Sequence, residues 1–210
     1  MADALHFAYS PGRLGRREGA PGLVLQELTQ FALASVVARK GQGAQVAAAA
    51  QQAFGASLPS NPAIAASNEL TFVWSGPNHW LALGPQSAEA VEARLGAVFG
   101  THASVFDQSG GRMLLELRGP RVRDVLAKGV SIDLHPRAFR TGDVAVTTAS
   151  HLAVHLWMVA DEPVYRLLVV RTYFESLWRW LAASAAEYGC EVLEPTPYAT
   201  HTTSPHRGHQ

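Results

Sequence analysis

The sequence predicts an α+β fold made of two ferredoxin-like βαββαβ modules, and three observations carry that prediction. Apolar runs and helical periodicity alternate as strand, helix, strand, strand, helix, strand, and a similar order comes round a second time. Three helical stretches finish on an aromatic residue followed by glycine, at Phe54-Gly55, Phe99-Gly100 and Tyr188-Gly189. An aromatic there can plug the helix base onto a sheet while Gly makes the turn, and the repetition points to duplication. The length of 210 residues accommodates two units of roughly 100 residues each.

Residues 1–22 carry Pro11, Gly12, Gly15, Gly19, Pro21 and Gly22 with Arg13, Arg16 and Arg17 and show no periodicity. They read as an extended arm. The first module, 23–110, opens on an apolar run over 31–38 suited to a buried strand. A helix follows, with Val46, Ala49, Ala50 and Ala53 at spacings of three and four. Residues 70–74 and 80–83 are strands joined by Ser75-Gly76-Pro77-Asn78, a turn-forming tetrad. A second helix follows Gly84-Pro85, with Ala88, Val91, Leu95, Val98 and Phe99 on one face, and 103–106 is a closing strand.

The second module, 111–194, begins with a strand over 113–117 in which Leu115 and Leu117 alternate with charges. Gly119-Pro120 opens a helix with Val122, Val125 and Leu126 as its stripe, Pro being suited to the first turn. Strands follow over 144–148, 152–159 and 164–170. Thr172 and Glu175 have the spacing of a capping box for the last helix, and 190–193 is a final strand. Residues 195–210 read as a polar, His-containing tail.

Composition excludes several classes. Hydrophobic residues are 48% and charged residues 16%, so the chain is not intrinsically disordered. Seventeen basic residues balance seventeen acidic ones, which leaves no field for nucleic acid or an anionic membrane. The apolar run over 152–160 is broken by His155 and is far shorter than the ~20 residues of a membrane span. Cys190 stands alone, which rules out a disulfide framework, and Arg16-Arg17 leads into no apolar export segment. A cytoplasmic location is expected. Of the basic residues only Lys40 and Lys128 are Lys. GC-rich coding or interface use of Arg would each produce that bias.

Catalytic constellations are scarce. His201, His206 and His209 stand in the tail without a Cys or carboxylate partner nearby, and Cys190 fits a small core position. Ser109-Gly110-Gly111-Arg112 lacks phosphate-loop spacing and precedes a strand. His79 fits a packed turn residue better than a base. Neither catalytic nor cofactor or metal residues are expected on this chain. Contact residues are better supported. At 100° per residue, Phe174, Leu177, Trp178, Leu181, Ala185 and Tyr188 form the core stripe of the last helix. Tyr173 and Trp180 lie off it. A Trp there favours a protein interface, so Tyr173, Trp180 and the arm residues Arg13, Arg16 and Arg17 are the candidate interface.

The string from Val105-Phe106-Asp107-Gln108-Ser109-Gly110-Gly111-Arg112 through Leu117-Arg118-Gly119-Pro120 to Asp124-Val125-Leu126-Ala127-Lys128-Gly129 is distinctive, with Ile132-Asp133-Leu134-His135-Pro136 behind it. Together with Trp74-Ser75-Gly76-Pro77-Asn78-His79-Trp80-Leu81 and Phe174-Glu175-Ser176-Leu177-Trp178-Arg179-Trp180-Leu181, it resembles the gamma-subunit family of heterotetrameric sarcosine oxidases. The segment from Asp107 to Pro120 is more distantly similar to the glycine-cleavage aminomethyltransferases and their folate-binding fold. The resemblance implies an assembly with alpha, beta and delta subunits that oxidatively demethylates sarcosine to glycine. FAD, FMN, NAD and tetrahydrofolate are then expected on the partner subunits. The glycine-rich segment leading to the aminomethyltransferases' catalytic aspartate is missing, as is their additional C-terminal domain, which implies a non-catalytic, structural subunit. Two alternatives stay open: a stand-alone folate-dependent aminomethyltransferase-like protein, and the equivalent subunit of an N-methylglutamate dehydrogenase complex.

Overall fold

A computed structural model describes residues 10–200 of the chain. The strands are β1 (Gly12–Leu14), β2 (Leu23–Thr29), β3 (Ala32–Ala38), β4 (Ile64–Ala66), β5 (Thr71–Gly76), β6 (His79–Gly84), β7 (Ala103–Asp107), β8 (Arg112–Arg118), β9 (Val144–Ala149), β10 (Leu152–Ala160), β11 (Val164–Val170), β12 (Cys190–Val192) and β13 (Thr196–Pro197). The helices are α1 (Gly43–Phe54), α2 (Ala88–Phe99), α3 (Val122–Leu126) and α4 (Phe174–Ala185). The fold is mixed α+β. A small sheet runs β4-β5-β6-β3-β7; a large one runs β1-β12-β2-β8-β11-β10-β9, with β13 also on β2.

Four layers result, helix, sheet, sheet, helix, because each sheet carries buried apolar side chains on both faces and needs cover on each. Val46, Ala50, Val91, Leu95 and Phe99 of α1 and α2 close the outer face of the small sheet over Ala34, Val36, Phe72 and Ala82. Leu177, Leu181 and Ala185 of α4, with Val122 and Val125 of α3, cover Leu115, Leu117, Leu156 and Leu167 of the large sheet. Between the sheets lie Leu33, Leu81, Leu83, Leu114, Trp157 and Leu168.

Several elements depart from the sequence reading. Residues 23–29 do not join the strands that follow them. They pair with β8 and β12 in the large sheet, and Gln30, with φ of 52°, turns the chain sharply into β3 of the other sheet. The return passes through a 3-10 turn, Ser109–Gly111, where Ser109 Oγ donates to Asp107 Oδ1 at 2.6 Å and Leu33 N donates to Ser109 Oγ at 2.9 Å. The two crossings are thus pinned to each other.

The described part of the arm is not extended into solvent. Gly12, Arg13 and Leu14 pair with Val192, Glu191 and Cys190 at the edge of the large sheet, and Arg16 N donates to Ala186 O. This close approach requires Gly189, with φ of +74°, since a Cβ there would strike the Arg16 carbonyl. The tail also begins folded. β13 runs parallel to β2, and buried Tyr198 reaches across to donate to Thr71 Oγ1 at 3.2 Å. His201, His206 and His209 lie outside the described residues.

The capping box does not form. A 3-10 turn, Arg171–Tyr173, runs straight into α4 without a side-chain cap, and Glu175 pairs with Arg179 one turn on. α3 is a single short turn and a half, ending well before Gly129.

Candidate functional site

The residues singled out in sequence fall in two places. Tyr173 is 47% exposed at the head of α4. Trp180 is half-buried against the outer core. Its indole lies on Gly129, where an added Cβ would come within 2.7 Å of the ring. The loop after α3 therefore covers much of the face that sequence periodicity leaves bare. Arg13 and Arg16 turn back onto their own chain. Arg13 donates to the carbonyls of Arg16 and Gly19 at 3.1 Å and pairs with Glu191 at 3.7 Å, and Arg16 donates to Tyr188 O at 3.4 Å. Arg17 is exposed.

A second constellation stands between the sheets, where sequence reasoning had singled out no site. Strand alternation puts Ser35 and Val37 of β3, His79 of β6, Ser75 of β5 and Phe106 of β7 on the inner face of the small sheet. Arg112 of β8, His155 of β10 and Val146 of β9 occupy the inner face of the large sheet. Ser35 Oγ and His79 Nε2 share a hydrogen bond of 2.8 Å; Ser75 Oγ and His155 Nε2 share one of 2.9 Å that spans the two sheets.

Burial, reinforced by the nearby positive Arg112 and by His79, depresses the His155 pKa to about 4. Burial lowers that of His79 as well. Both rings are therefore neutral near pH 7 and suited to fixed hydrogen bonds. Neither has a carboxylate orienting its other nitrogen among the described residues, so the pairs are not catalytic triads. Arg112 is half-buried and, among the described residues, its guanidinium makes no hydrogen bond or ion pair. The one available signal was His155 inside an apolar strand, because a buried polar group requires a partner.

Farther along the same inner face, Arg166 is only 2% exposed. It pairs with Glu116 at 3.5 Å, donates to Ala199 O at 3.2 Å and lies 4.8 Å from the centroid of the Tyr198 ring. It fastens the C-terminal segment to the large sheet. Beyond it, a groove of about 350 Å³ is lined by Val24, Arg118, Pro120, Glu162 and Val164.

Other chemistry is sparse. Burial, chiefly, pushes the Cys190 thiol up to about 11, leaving it protonated and inert. Among the described residues no group of three or more His, Cys, Asp or Glu could hold a metal ion. No described helix is long and apolar enough to cross a membrane.

Comparison with known proteins gives this architecture a family. The gamma subunit of sarcosine oxidase from Corynebacterium sp. (strain P-1) is 33% identical over 170 residues, covering 80% of this chain and 83% of that one. Its counterpart from Arthrobacter sp. is 33% identical over 177 residues, 83% of this chain and 85% of that one. Among solved structures, heterotetrameric sarcosine oxidase from Corynebacterium sp. U-96 contains a chain that matches with a TM-score of 0.70 at 27% identity, over 79% of this chain and 85% of its own. The glycine cleavage aminomethyltransferase T of Bartonella henselae matches with a TM-score of 0.59 at 14% identity, over 82% of this chain and 48% of its own, which is a likeness of fold alone. The model of the family described as sarcosine oxidase, gamma subunit, matches residues 40–187, and the chain belongs to that family.

Proposed function

We propose that this chain is a non-catalytic, structural subunit of a heterotetrameric oxidase that demethylates sarcosine to glycine. In that role it packs against the alpha, beta and delta subunits, which carry FAD, FMN, NAD and tetrahydrofolate. The observation that carries the reading is the match along most of its length to a chain of heterotetrameric sarcosine oxidase. The site chemistry supports it: neutral histidines hold serines, one pair within the small sheet and one across the two sheets, and the lone thiol is protonated in the core. The reading includes two ferredoxin-like modules, divided near residue 110, and a cytoplasmic setting. The order β3, α1, β5, β6, α2, β7 supports the first module. In the second, β2 inserts between β8 and β12.

Co-expression with the other subunits tests the proposal. The tagged chain should co-purify with a yellow, sarcosine-oxidising complex, while alone it should be colourless and inactive. Flavin absorbance or sarcosine turnover by the isolated chain would overturn the reading.

A further inference from the structure

The mouth of the inter-sheet cleft is built unlike the rest of the inner face. Residues that point inward from both sheets should be covered, yet Phe106 is 56% exposed, Val146 48% and Val37 37%. Register sets each of them beside a member of a Ser-His pair. Phe106 stands opposite Ser35 and next but one to Val37 on the neighbouring strand, while Val146 stands opposite His155, which is tied to Ser75. The three apolar side chains therefore rim the Ser-His pairs. Exposed apolar side chains around a polar centre are characteristic of a recognition site.

The charge in the mouth is one-sided. Arg112 shares the inner face with Leu114 and acts on His155 through its charge. Arg171, beside it, donates to the carbonyls of Gly110 and Arg112 at 2.8 and 3.2 Å, which engages two of its five hydrogens without neutralising its charge. Among the described residues no carboxylate lies within ion-pair reach of either guanidinium. The acids nearest Arg112 in sequence are engaged elsewhere: Glu116, two residues along the same face of β8 from Leu114, pairs with Arg118 and Arg166, and Asp107 points to the other face of β7 and is taken up by Ser109. A half-buried guanidinium with no counter-ion among the described residues is open to a carboxylate from outside.

We infer that this mouth receives a segment of another subunit of the oxidase, one that sets an Asp or Glu carboxylate on Arg112 between apolar side chains seated on Phe106, Val37 and Val146. The inference rests on the proposed role as an assembly subunit and names the surface that performs it. A carboxylate supplies charge complementarity to Arg112 and Arg171, and the apolar flanks cover the rim. The surface is distinct from the helix flank predicted in sequence: Trp180 belongs to α4 and packs on the outer side of the large sheet, and Tyr173 closes the 3-10 turn before that helix.

The test uses the co-expressed complex. Arg112→Glu should weaken co-assembly by about 100-fold or more, since it places like charges together, and Arg112→Lys should weaken it less. The isolated Arg112→Glu chain should keep its melting temperature, because the guanidinium bonds to nothing among the described residues. In parallel, a photoreactive benzoylphenylalanine replacing Phe106 should cross-link to a partner subunit on illumination, and acidic residues should occur in the captured segment. Undiminished assembly of Arg112→Glu overturns the inference, as does cross-linking only to a second copy of this chain or to nothing. A wild-type chain that fails to co-purify at all overturns the assembly role itself, and this inference with it. A wild-type chain that assembles while both probes are silent overturns the inference alone.

Discussion

The two sides of each sheet do different work. The outer faces, under the helices, are closed by aliphatic and aromatic side chains such as Leu95, Phe99, Leu177 and Leu181. The inner faces hold the polar exceptions. Of the buried polar residues among those described, Ser35, Thr71, His155 and Arg166 point between the sheets, and only Ser184 lies on a helix. Apolar burial is non-directional and stabilises wherever it occurs, whereas a buried hydrogen bond is satisfied in one register only. The outer faces therefore provide stability, and the inner face fixes how the sheets meet and where they part.

The sharpest way to break this contrast is to attack an outer face. Phe99 is buried and lies 6.4 Å, ring to ring, from Phe54, itself 5.6 Å from Phe72. Phe99→Ala should cost about 3–5 kcal/mol, the usual loss for a buried aromatic, read as a lower urea midpoint at constant slope. A loss under about 1 kcal/mol would show that the helix layer is not what holds the small sheet.

Acid should attack the inner face selectively. With a folded pKa of about 4 against an ordinary 6.5, His155 binds fewer protons folded than unfolded. Its contribution is whole above pH 6.5 and is lost as pH falls from there towards 4. The groups facing it are Arg112 from β8, His79 from β6 and Ser75 from β5; the charge of Arg112, joined by that of His79 once acid protonates it, works against its protonation. The loss should reach about 2–3 kcal/mol, and His155→Gln should flatten the stability profile between pH 6.5 and 4. A variant that keeps the wild-type slope would assign acid sensitivity elsewhere.

Arg166 offers a third, somewhat smaller break. Arg166→Ala takes one of its cations from Glu116, which also pairs with Arg118 at 3.1 Å, and frees the Ala199 carbonyl. A loss of roughly 2 kcal/mol is expected, with faster amide exchange at Tyr198, whose N–H donates to Thr29 O. The replacement Arg166→Met with Glu116→Gln should recover part of that loss. No recovery would mean that packing on Tyr198, and not charge, anchors the segment.

Legibility in the sequence followed the same divide. The outer stripes repeat every three to four residues, so Val91, Leu95 and Phe99, or Phe174, Leu177 and Leu181, declare themselves. Pairing between distant segments leaves no such trace. Leu23–Thr29 alternates as a strand should, but nothing local says that it joins β8 about ninety residues on and not its neighbour β3. Tyr198 and Arg13 were hidden similarly, because an edge strand of two or three residues is too short to carry a pattern. The Ser35–His79 and Ser75–His155 pairs bridge 44 and 80 residues of chain. Each residue in them was readable; the coincidence was not.

The α4 flank sharpens the comparison with the smallest effects. Periodicity alone predicts that Trp180→Ala weakens a complex while sparing the fold. The contact with Gly129 revises that: the indole fills a place made by a missing side chain, so Trp180→Ala should itself cost about 2 kcal/mol. Gly129→Ala, which pushes a methyl group into the ring, should cost about 1–2 kcal/mol from the other side of the same contact. Tyr173, 47% exposed, should change stability by less than about 0.5 kcal/mol on mutation to Ala. Thermal melting with co-purification separates the cases. If Tyr173→Ala weakens assembly at unchanged melting temperature, the outer flank is a second contact surface beside the cleft mouth. If it assembles as wild type, the face that sequence periodicity singled out is the side of a core, and Trp180 belongs to stability.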